Sequence, residues 1–145
     1  MNDQEVRTKA REVIGKCMFP AFATVDENQC PQIRAMMPLV VEEDFTLHYV
    51  TSRMSSKCKH IQANPKVSTF WTNVVDPMKE WQSVLIKGQA SITDDKALRE
   101  RYWMEELKMV FPAGVDDPNY VILIVKPTEK ILADHQTIPP LVVKL

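Results

Sequence analysis

The sequence lacks any arrangement of cysteines or histidines that would build a disulfide framework or a metal centre. Its three cysteines are widely spaced and form no C-x-x-C pair, and its three histidines have no second ligand at metal-binding spacing. An odd number of unpaired cysteines also argues against a disulfide-rich secreted domain. We therefore expect reduced, structural cysteines and no metal site; the residues concerned are Cys17, Cys30, Cys58, His48, His60 and His135.

Long apolar runs and an excess of one charge are missing as well. No stretch approaches the ~20 apolar residues that cross a bilayer, and the polar start MNDQEVRTKAREV has no apolar core of a secretory signal. The net charge is −1 and the basic residues are dispersed, which provides no electrostatic footprint for DNA or RNA. We expect a cytoplasmic protein that has neither nucleic acid nor a membrane as its partner.

The composition that is present is typical of one globular domain. The chain has 145 residues, of which 45% are apolar and 26% are charged. A chain of this length buries a core without help from disulfides or metal. We treat residues 1–145 as a single domain, with an N-terminal helix over 1–15 and a C-terminal tail over 135–145.

Hydrophobic periodicity predicts a chain dominated by strands, with three helices. Asn2 and Glu5 form the signature of a capping box, and Pro77 predicts a loop over 74–80 because it cannot donate to a central ladder. The apolar segment over 138–143 is broken by two prolines, so it either docks on a partner subunit or lies loose. The predicted elements are a helix over 1–15, strands over 18–25, 32–41 and 45–51, a helix from Ser55 to Asn64, strands over 67–72 and 83–93, a helix from 93 or 94 to about 109, and strands over 120–125 and 130–133.

Neighbouring predicted strands are linked by turns rather than by helices, which argues against a doubly wound parallel sheet. The first three strands are expected to form an antiparallel meander. The predicted fold class is mainly β, of the α+β kind. It is a small antiparallel barrel of about six to seven strands with peripheral helices.

The stretch from Leu47 to Val67 carries the clearest chemical signal. A short helix is predicted to start near Ser55, and its first turn holds two hydroxyls and Lys57. Free N–H groups, the positive end of the helix dipole and a cation together suit a phosphate. Serine before a helix is commonly only an N-cap, so these residues alone leave both interpretations open. The alternation over 32–41 adds Arg34, which shares one face of the preceding strand with apolar groups.

Several segments together resemble a known family. We find a resemblance to the FMN-binding split barrel of the pyridoxamine 5'-phosphate oxidase-like superfamily in FATVDENQCPQIRAMMP, HYVTSRMSSKCKHIQANPKVSTFW and VLIKGQASITDD. The later stretch is similar to the general stress protein branch and reads ERYWMEELKMVFPAGVDDPNYVILIVKP. The resemblance runs roughly from Phe19 to Asp134. No single motif is sharp, but the segments occur in the family's order.

The resemblance implies a phosphate site and a flavin site on the predicted strands. In the family's arrangement, Arg34 and Lys57 are the charged ligands of the FMN phosphate and Ser56 is a hydrogen-bond donor. The flavin ring runs along the second and third strands, and a polar pair before Gly88 reaches it, often from the second subunit. The positions implied in this way are Ala35, Met36, Met37, Val50, Thr51, Ser52, Gln82 and Ser83. A homodimer with the flavin at its interface is implied as well.

The sequence departs from the family near its C-terminus. Pyridoxamine 5'-phosphate oxidases hold their substrate with basic residues there, including arginine, whereas the last arginine of this chain is Arg101. We therefore predict that the protein is not that oxidase. Relatives in the stress branch commonly carry a tryptophan near the end of the last strand, where this chain has Lys130-Ile131-Leu132-Ala133-Asp134 and no aromatic residue.

The leading hypothesis is an FMN-dependent oxidoreductase in which the cofactor carries out hydride or electron transfer. No side chain need act as nucleophile or general base, so we name no catalytic residue. The alternatives are a flavin-binding stress or sensor protein without turnover, a barrel that holds deazaflavin F420 or haem, and an apo interaction module in which Arg34 and Lys57 form surface salt bridges. For haem the candidate ligand on a strand is His48, which we expect to be satisfied or exposed.

Overall fold

The structure is a computed structural model that describes residues 1–129, 131–134 and 136–145. Lys130 and His135, which the sequence analysis placed at the last strand and in the tail, lie outside the described residues. The helices are α1 (Asp3–Lys16), α2 (Ser56–Ala63) and α3 (Lys96–Tyr102), with 3-10 turns at Glu105–Met109 and Gly114–Asp116. The strands are β1 (Ala21–Val25), β2 (Pro31–Ala35), β3 (Val40–Val41), β4 (Leu47–Ser52), β5 (Lys66–Asp76), β6 (Glu80–Thr93), β7 (Tyr120–Pro127), β8 (Ile131–Asp134) and β9 (Leu141–Val143).

The described strands form one antiparallel sheet. Their order is β2-β1-β5-β6-β7-β4-β3, with β8 beside β6 and β9 beside β8. The predicted mainly β fold, a small antiparallel barrel with peripheral helices, is confirmed. The described part of the chain contains nine strands rather than six or seven. Two of them, β3 and β9, have only two and three residues, a length at which alternation carries little signal.

The predicted three-strand meander is wrong, because residues 32–41 form two strands instead of one. β2 pairs with β1, whereas β3 pairs with β4, and these strands stand at opposite ends of the sheet order. Pro38 lies between them and has no N–H to donate to a ladder. Leu39 N then donates to His48 O (2.8 Å), so the chain has already passed to the far edge of the sheet.

The loop predicted over 74–80 is the end of a long hairpin. β5 continues to Asp76, and only residues 77–79 form the turn. The Asp76 carboxylate accepts a hydrogen bond from Met78 N (2.8 Å), which closes the turn. Pro77 lies outside the ladder as expected, but a turn of three residues is enough to accommodate it.

Helix α3 is shorter than the helix predicted from 93 to 109. Asp95 caps it and accepts from a backbone N–H of the first turn (3.0 Å), so the cap lies one or two residues beyond the predicted position. The helix ends at Tyr102 because Trp103 has an extended backbone (φ −66°, ψ 133°). Trp103 packs edge-on against Tyr120, with ring centroids 5.3 Å apart, so aromatic packing overrides the helical pattern.

Two apolar clusters hold the fold together. The larger one fills the barrel interior and includes Val6, Ala10 and Val13 of α1. The smaller one lies on the other face of β7, where α3 and the following turns pack against Tyr120 and Ile122. Because a fully buried large apolar side chain contributes ~1.5–3 kcal/mol relative to its exposed state, both faces of β4 and β7 are strongly anchored.

The C-terminal tail packs on its own chain. β9 pairs with β8, and Lys144 N donates to the Asp3 carboxylate (3.2 Å) at the start of α1. The end of the tail is therefore not loose, which corrects that alternative for residues 141–144; docking on a partner subunit stays a prediction. Ile138, before the last strand, is fully exposed.

Candidate functional site

Helix α2 packs on the sheet at β1 and β6 and connects the end of β4 to β5. A turn after β4 is closed by the hydrogen bond from Ser55 N to Ser52 O (3.0 Å). The Cys58 thiol also donates to Ser52 O (3.3 Å), and α2 packs against β1 and β6. Cys58, His60 and Ile61 form the buried face of the helix. The N-terminal turn is thus held beside the last residues of β4.

Ser55 occupies the N-cap position of α2 but does not cap the helix. Its backbone is extended (φ −70°, ψ 150°), as an N-cap residue requires, yet its side chain accepts no hydrogen bond from the first turn. The Ser55 hydroxyl oxygen is buried and has no hydrogen-bond partner among the described residues. An orphaned buried hydroxyl at a helix N-terminus fits a site whose ligand supplies the missing partner.

Lys57 lies in the first turn of this helix, Arg34 lies near enough to lower the pKa of Lys57, and both cations are held by threonine hydroxyls. Lys57 Nζ donates to Thr51 Oγ1 (3.1 Å), and Arg34 donates to Thr24 Oγ1 (2.8 Å) and to Gln32 O (3.2 Å). Within the ranges that the structure describes, neither cation has a carboxylate partner within 4.0 Å. The apo-module alternative, in which Arg34 and Lys57 form surface salt bridges, is therefore not supported.

The two cations are close enough to influence each other's ionisation. Burial lowers the pKa of Lys57 below its ordinary value, and the positive charge of Arg34 adds to the lowering. Burial also lowers the pKa of Arg34. Two partly buried cations that repel each other and lack an anion form a region of uncompensated positive charge. Such a region is suited to a multivalent anion.

Thr24 and His60 also belong to this region, although their sequence context did not identify them. Thr24 Oγ1 lies 2.9 Å from His60 Nδ1, so Thr24 of β1 links Arg34 of β2 to α2. Thr24 is 1% exposed and His60 is also buried. In the sequence, Thr24 and His60 are recognisable only as polar residues on the inward faces of β1 and α2. The packing of α2 on β1 is what identifies the two residues as partners.

The predicted flavin positions on β4 divide between two faces of the strand. Thr51 is buried toward the barrel interior and contacts Lys57, so the structure brings these two predicted residues together. Val50 points the other way and packs against the smaller apolar cluster. The Ser52 hydroxyl accepts from Met54 N (3.2 Å), which occupies it within the turn. The backbone groups of β4, rather than the side chains of Val50 and Ser52, are therefore the groups available to a flavin ring.

The predicted positions after Arg34 lie where β2 ends. Ala35 is exposed and pairs with Ala21 of β1. Met36 packs against the barrel core, whereas Met37 is 60% exposed. Ser56 is exposed in the first turn of α2. Ala35 and Ser56 are the chain neighbours of Arg34 and Lys57, respectively.

Gln82 and Ser83 are not brought to α2 within one chain. They are consecutive on β6 and so face opposite sides of the sheet. Gln82 accepts from Asn73 Nδ2 at 3.5 Å, and Ser83 lines a cleft of about 220 Å³. Among the described residues, neither forms a hydrogen bond with Arg34, Lys57 or α2. Gln82 lines the same cleft, and the remaining lining residues are Phe70, Thr72, Val74, Pro77 and Trp81.

His48 is satisfied, as predicted, and does not offer an open ligand. Its Nδ1 lies 2.8 Å from the Tyr102 hydroxyl and its Nε2 lies 3.9 Å from the Glu42 carboxylate. In the part of the chain that the structure describes, no group of three histidine, cysteine or acidic residues could hold a metal ion. No helix of the same part is long and apolar enough to cross a bilayer.

Comparison with known proteins identifies relatives across almost the whole chain. The family model described as pyridoxamine 5'-phosphate oxidase like matches residues 5–134. General stress protein 26 of Bacillus subtilis strain 168 is 28% identical over 129 residues, which cover 89% of both chains. The crystal structure of General Stress Protein 26 from Bacillus anthracis strain Sterne is 27% identical, with a TM-score of 0.74 over 97% of this chain and 99% of that one.

A more distant structure shares the fold alone. The structure of a haem-binding protein from Mycobacterium smegmatis is 13% identical and has a TM-score of 0.66 over 88% of this chain and 53% of that chain. Together the matches confirm the split-barrel fold and the predicted resemblance to the stress-protein relatives.

Proposed function

The chain belongs to the pyridoxamine 5'-phosphate oxidase-like family, and from this premise we propose that it is an FMN-binding flavoprotein that carries out a flavin-dependent redox reaction. One observation carries the proposal. Arg34 and Lys57 are partly buried cations without a carboxylate partner among the described residues, and Lys57 lies in the first turn of a helix whose buried Ser55 hydroxyl has no partner among them either. The phosphate of FMN has the charge and the oxygen atoms that such a site requires.

Each site residue has a distinct task toward the phosphate. The guanidinium of Arg34 has a fork of donors, whereas the Lys57 ammonium is a compact charge whose direction is set by Thr51. The first N–H groups of α2 and the Ser55 hydroxyl contribute uncharged donors. The bound FMN would supply hydride or electron transfer. The protein binds and orients it, and no described side chain is assigned a proton-transfer role.

We also propose that the protein is a homodimer with the flavin at its interface. The outer face of β1, β2 and β5 is apolar: Ile33 is 70% exposed, Phe70 is 41% exposed, and Phe70 lies in register with Ala21 and Leu85. Covering this face with a second copy would remove apolar surface from water. Gln82 and Ser83, which do not reach α2 in their own chain, would then approach the flavin of the partner.

Pyridoxamine 5'-phosphate is not the substrate that we propose. The last arginine, Arg101, lies in α3, where its guanidinium is 5.4 Å from the centre of the Tyr102 ring. The chain beyond it has no arginine with which to hold a second phosphate. The names of the stress-protein relatives support a second candidate, a flavin-binding stress or sensor protein without turnover. Haem is not supported, because His48 is already bonded to Tyr102.

The phosphate site is tested by comparing FMN with riboflavin, which lacks the phosphate. Fluorescence titration of the purified protein should show FMN binding. Lys57→Ala and Arg34→Ala should each weaken the affinity for FMN roughly 10- to 100-fold, while the affinity for riboflavin changes little. Lys108→Ala is the matched control, because Lys108 is an exposed lysine paired with Glu105. A protein that binds neither flavin, or variants that lose both equally, would refute the proposal.

The dimer and the redox activity need separate measurements. Phe70→Glu should elute as a monomer on size-exclusion chromatography, because it places a charge on the apolar face. Fluorescence titration should show that it binds flavin more weakly. Met109→Glu is the control, since Met109 is 91% exposed after α3. A wild-type monomer that retains flavin would contradict the interface. Anaerobic reduction of the bound flavin by NADH or NADPH would favour the oxidoreductase, and failure with both would favour the sensor.

A further inference from the structure

A buried chain of hydrogen bonds connects the candidate phosphate arginine to the interior face of α2. Arg34 donates to Thr24 Oγ1 at 2.8 Å, and the same oxygen lies 2.9 Å from His60 Nδ1. Thr24 is 1% exposed and His60 is 6% exposed. The three residues belong to β2, β1 and α2, so the chain joins the three elements that surround the uncompensated charge.

The chemistry of the three groups gives the chain a direction. A guanidinium has donors and no acceptor, so Thr24 Oγ1 accepts from Arg34. The hydroxyl proton of Thr24 is then free to point toward His60 Nδ1, and this nitrogen accepts it in the His60 tautomer that has its proton on Nε2. In this arrangement Thr24 accepts a hydrogen bond from Arg34 and donates one to His60.

The location of Arg34 explains why it needs such support. β2 lies at the edge of the sheet, and all of its residues other than Arg34 are exposed. A long arginine side chain on an exposed strand has many rotamers, and ordering them weakens ligand binding. A hydroxyl acceptor restricts the guanidinium without cancelling its charge, whereas a carboxylate would neutralise the cation that the ligand requires.

We propose that Thr24 and His60 are positioning residues for phosphate recognition, and that they hold the Arg34 guanidinium in place by connecting it to α2. The inference rests on the proposed FMN function and adds two residues that do not touch the ligand themselves. Thr24 orients the guanidinium, and His60 orients the Thr24 hydroxyl. The consequence is a selective effect: their loss reduces affinity for the phosphate of FMN but not for the ring.

The test measures the dissociation constants of FMN and riboflavin for matched threonine variants. Thr24→Val keeps the shape of the side chain but removes the hydroxyl. It should weaken the affinity for FMN by about 10-fold, while the affinity for riboflavin changes less than about 2-fold. Thr24→Ser keeps the hydroxyl and should restore FMN binding. Thr69→Val is the control, because Thr69 is also a buried inward-facing threonine whose hydroxyl has no hydrogen-bond partner among the described residues.

A second pair of variants decides the inference if Thr24→Val does not fold. His60→Asn retains an acceptor near the position of Nδ1 and should keep the FMN-to-riboflavin affinity ratio, whereas His60→Leu removes it and should lower the ratio several-fold. Equal loss of both flavins, or an unchanged ratio in Thr24→Val and His60→Leu, would overturn the positioning role. The wild-type ratio tests the phosphate site independently: a ratio near one refutes the proposed function before any variant is considered.

Discussion

The N-termini of α1 and α2 are built in opposite ways. In α1, Asn2 Oδ1 accepts from Glu5 N (2.9 Å) and the Glu5 carboxylate accepts from Asn2 N (2.8 Å), so the chain satisfies its own helix end. In α2, Ser55 makes no capping bond, and the first turn has no acid but contains Lys57. Helix α1 therefore begins with a structural cap, whereas α2 begins with groups that are suited to a ligand.

Helix α2 compensates for its open end by burial. Cys58, His60 and Ile61 are buried against the barrel, and this packing holds the helix although its cap is unused. A helix that lacks a side-chain cap, in a chain whose helices α1 and α3 have one, is expected where function opposes stability. Substitutions at each helix end test this difference when the free energy of unfolding and the ligand affinity are measured separately.

The largest effect is expected from Ser55→Asp, which gives α2 an internal anion. The carboxylate would cap the helix and face Arg34 and Lys57, so FMN should bind about 100-fold more weakly because of repulsion between like charges. The free protein should become more stable by about 1 kcal/mol. Flavin titration and urea denaturation measure the two effects. Unchanged FMN affinity would mean that the phosphate does not lie at this helix end.

The next effect in size is expected from Asn2→Ala, which opens the end of α1. Loss of the capping box should reduce the free energy of unfolding by about 1 kcal/mol, measured by urea denaturation. FMN affinity should not change, because α1 is not part of the site. A loss of flavin affinity as large as the loss of stability would show that the two helix ends do not have the separate roles described above.

A smaller effect is expected from Ser55→Ala. Because the Ser55 hydroxyl makes no capping bond, the free energy of unfolding should change by less than about 0.5 kcal/mol, whereas a cap that was in use would cost about 1 kcal/mol. FMN affinity should fall a few-fold, with riboflavin unchanged. Urea denaturation in the absence of flavin separates this result from that of Asn2→Ala. A stability loss equal to that of Asn2→Ala would restore the ordinary capping role.

The smallest effect is expected from alkaline pH. Burial, together with the charge of Arg34, lowers the pKa of Lys57 below 10.5, so Lys57 loses its proton at a lower pH than an exposed lysine. FMN affinity needs the charged form, so the ratio of FMN affinity to riboflavin affinity should fall as the pH rises through this lowered pKa; ionisation of the shared ring affects both ligands and leaves the ratio unchanged. Titrations between neutral and alkaline pH measure it. Lys57→Met should remove the dependence; its persistence would assign the titration to another group.

Local features were predictable from local sequence. The capping box of Asn2 and Glu5 is present, and α2 runs from 56 to 63, within one residue of the prediction. The pairing of distant strands was not predictable in the same way. Residues 32–41 alternate like a single strand, but the sheet divides them at Pro38 between its two ends. Alternation reports which face a residue occupies and contains no information about its neighbouring strand.

The sequence by itself determined the types of residue that this site requires: an arginine on an early strand, and hydroxyls with a lysine at the start of a short helix. The packing of α2 on β1 and β6, which brings Lys57 to Thr51 and joins Arg34 through Thr24 to His60, is a property of the tertiary structure alone. The physical reason is that charge and hydrogen-bonding capacity belong to single residues, whereas burial and convergence depend on strands far apart in the chain.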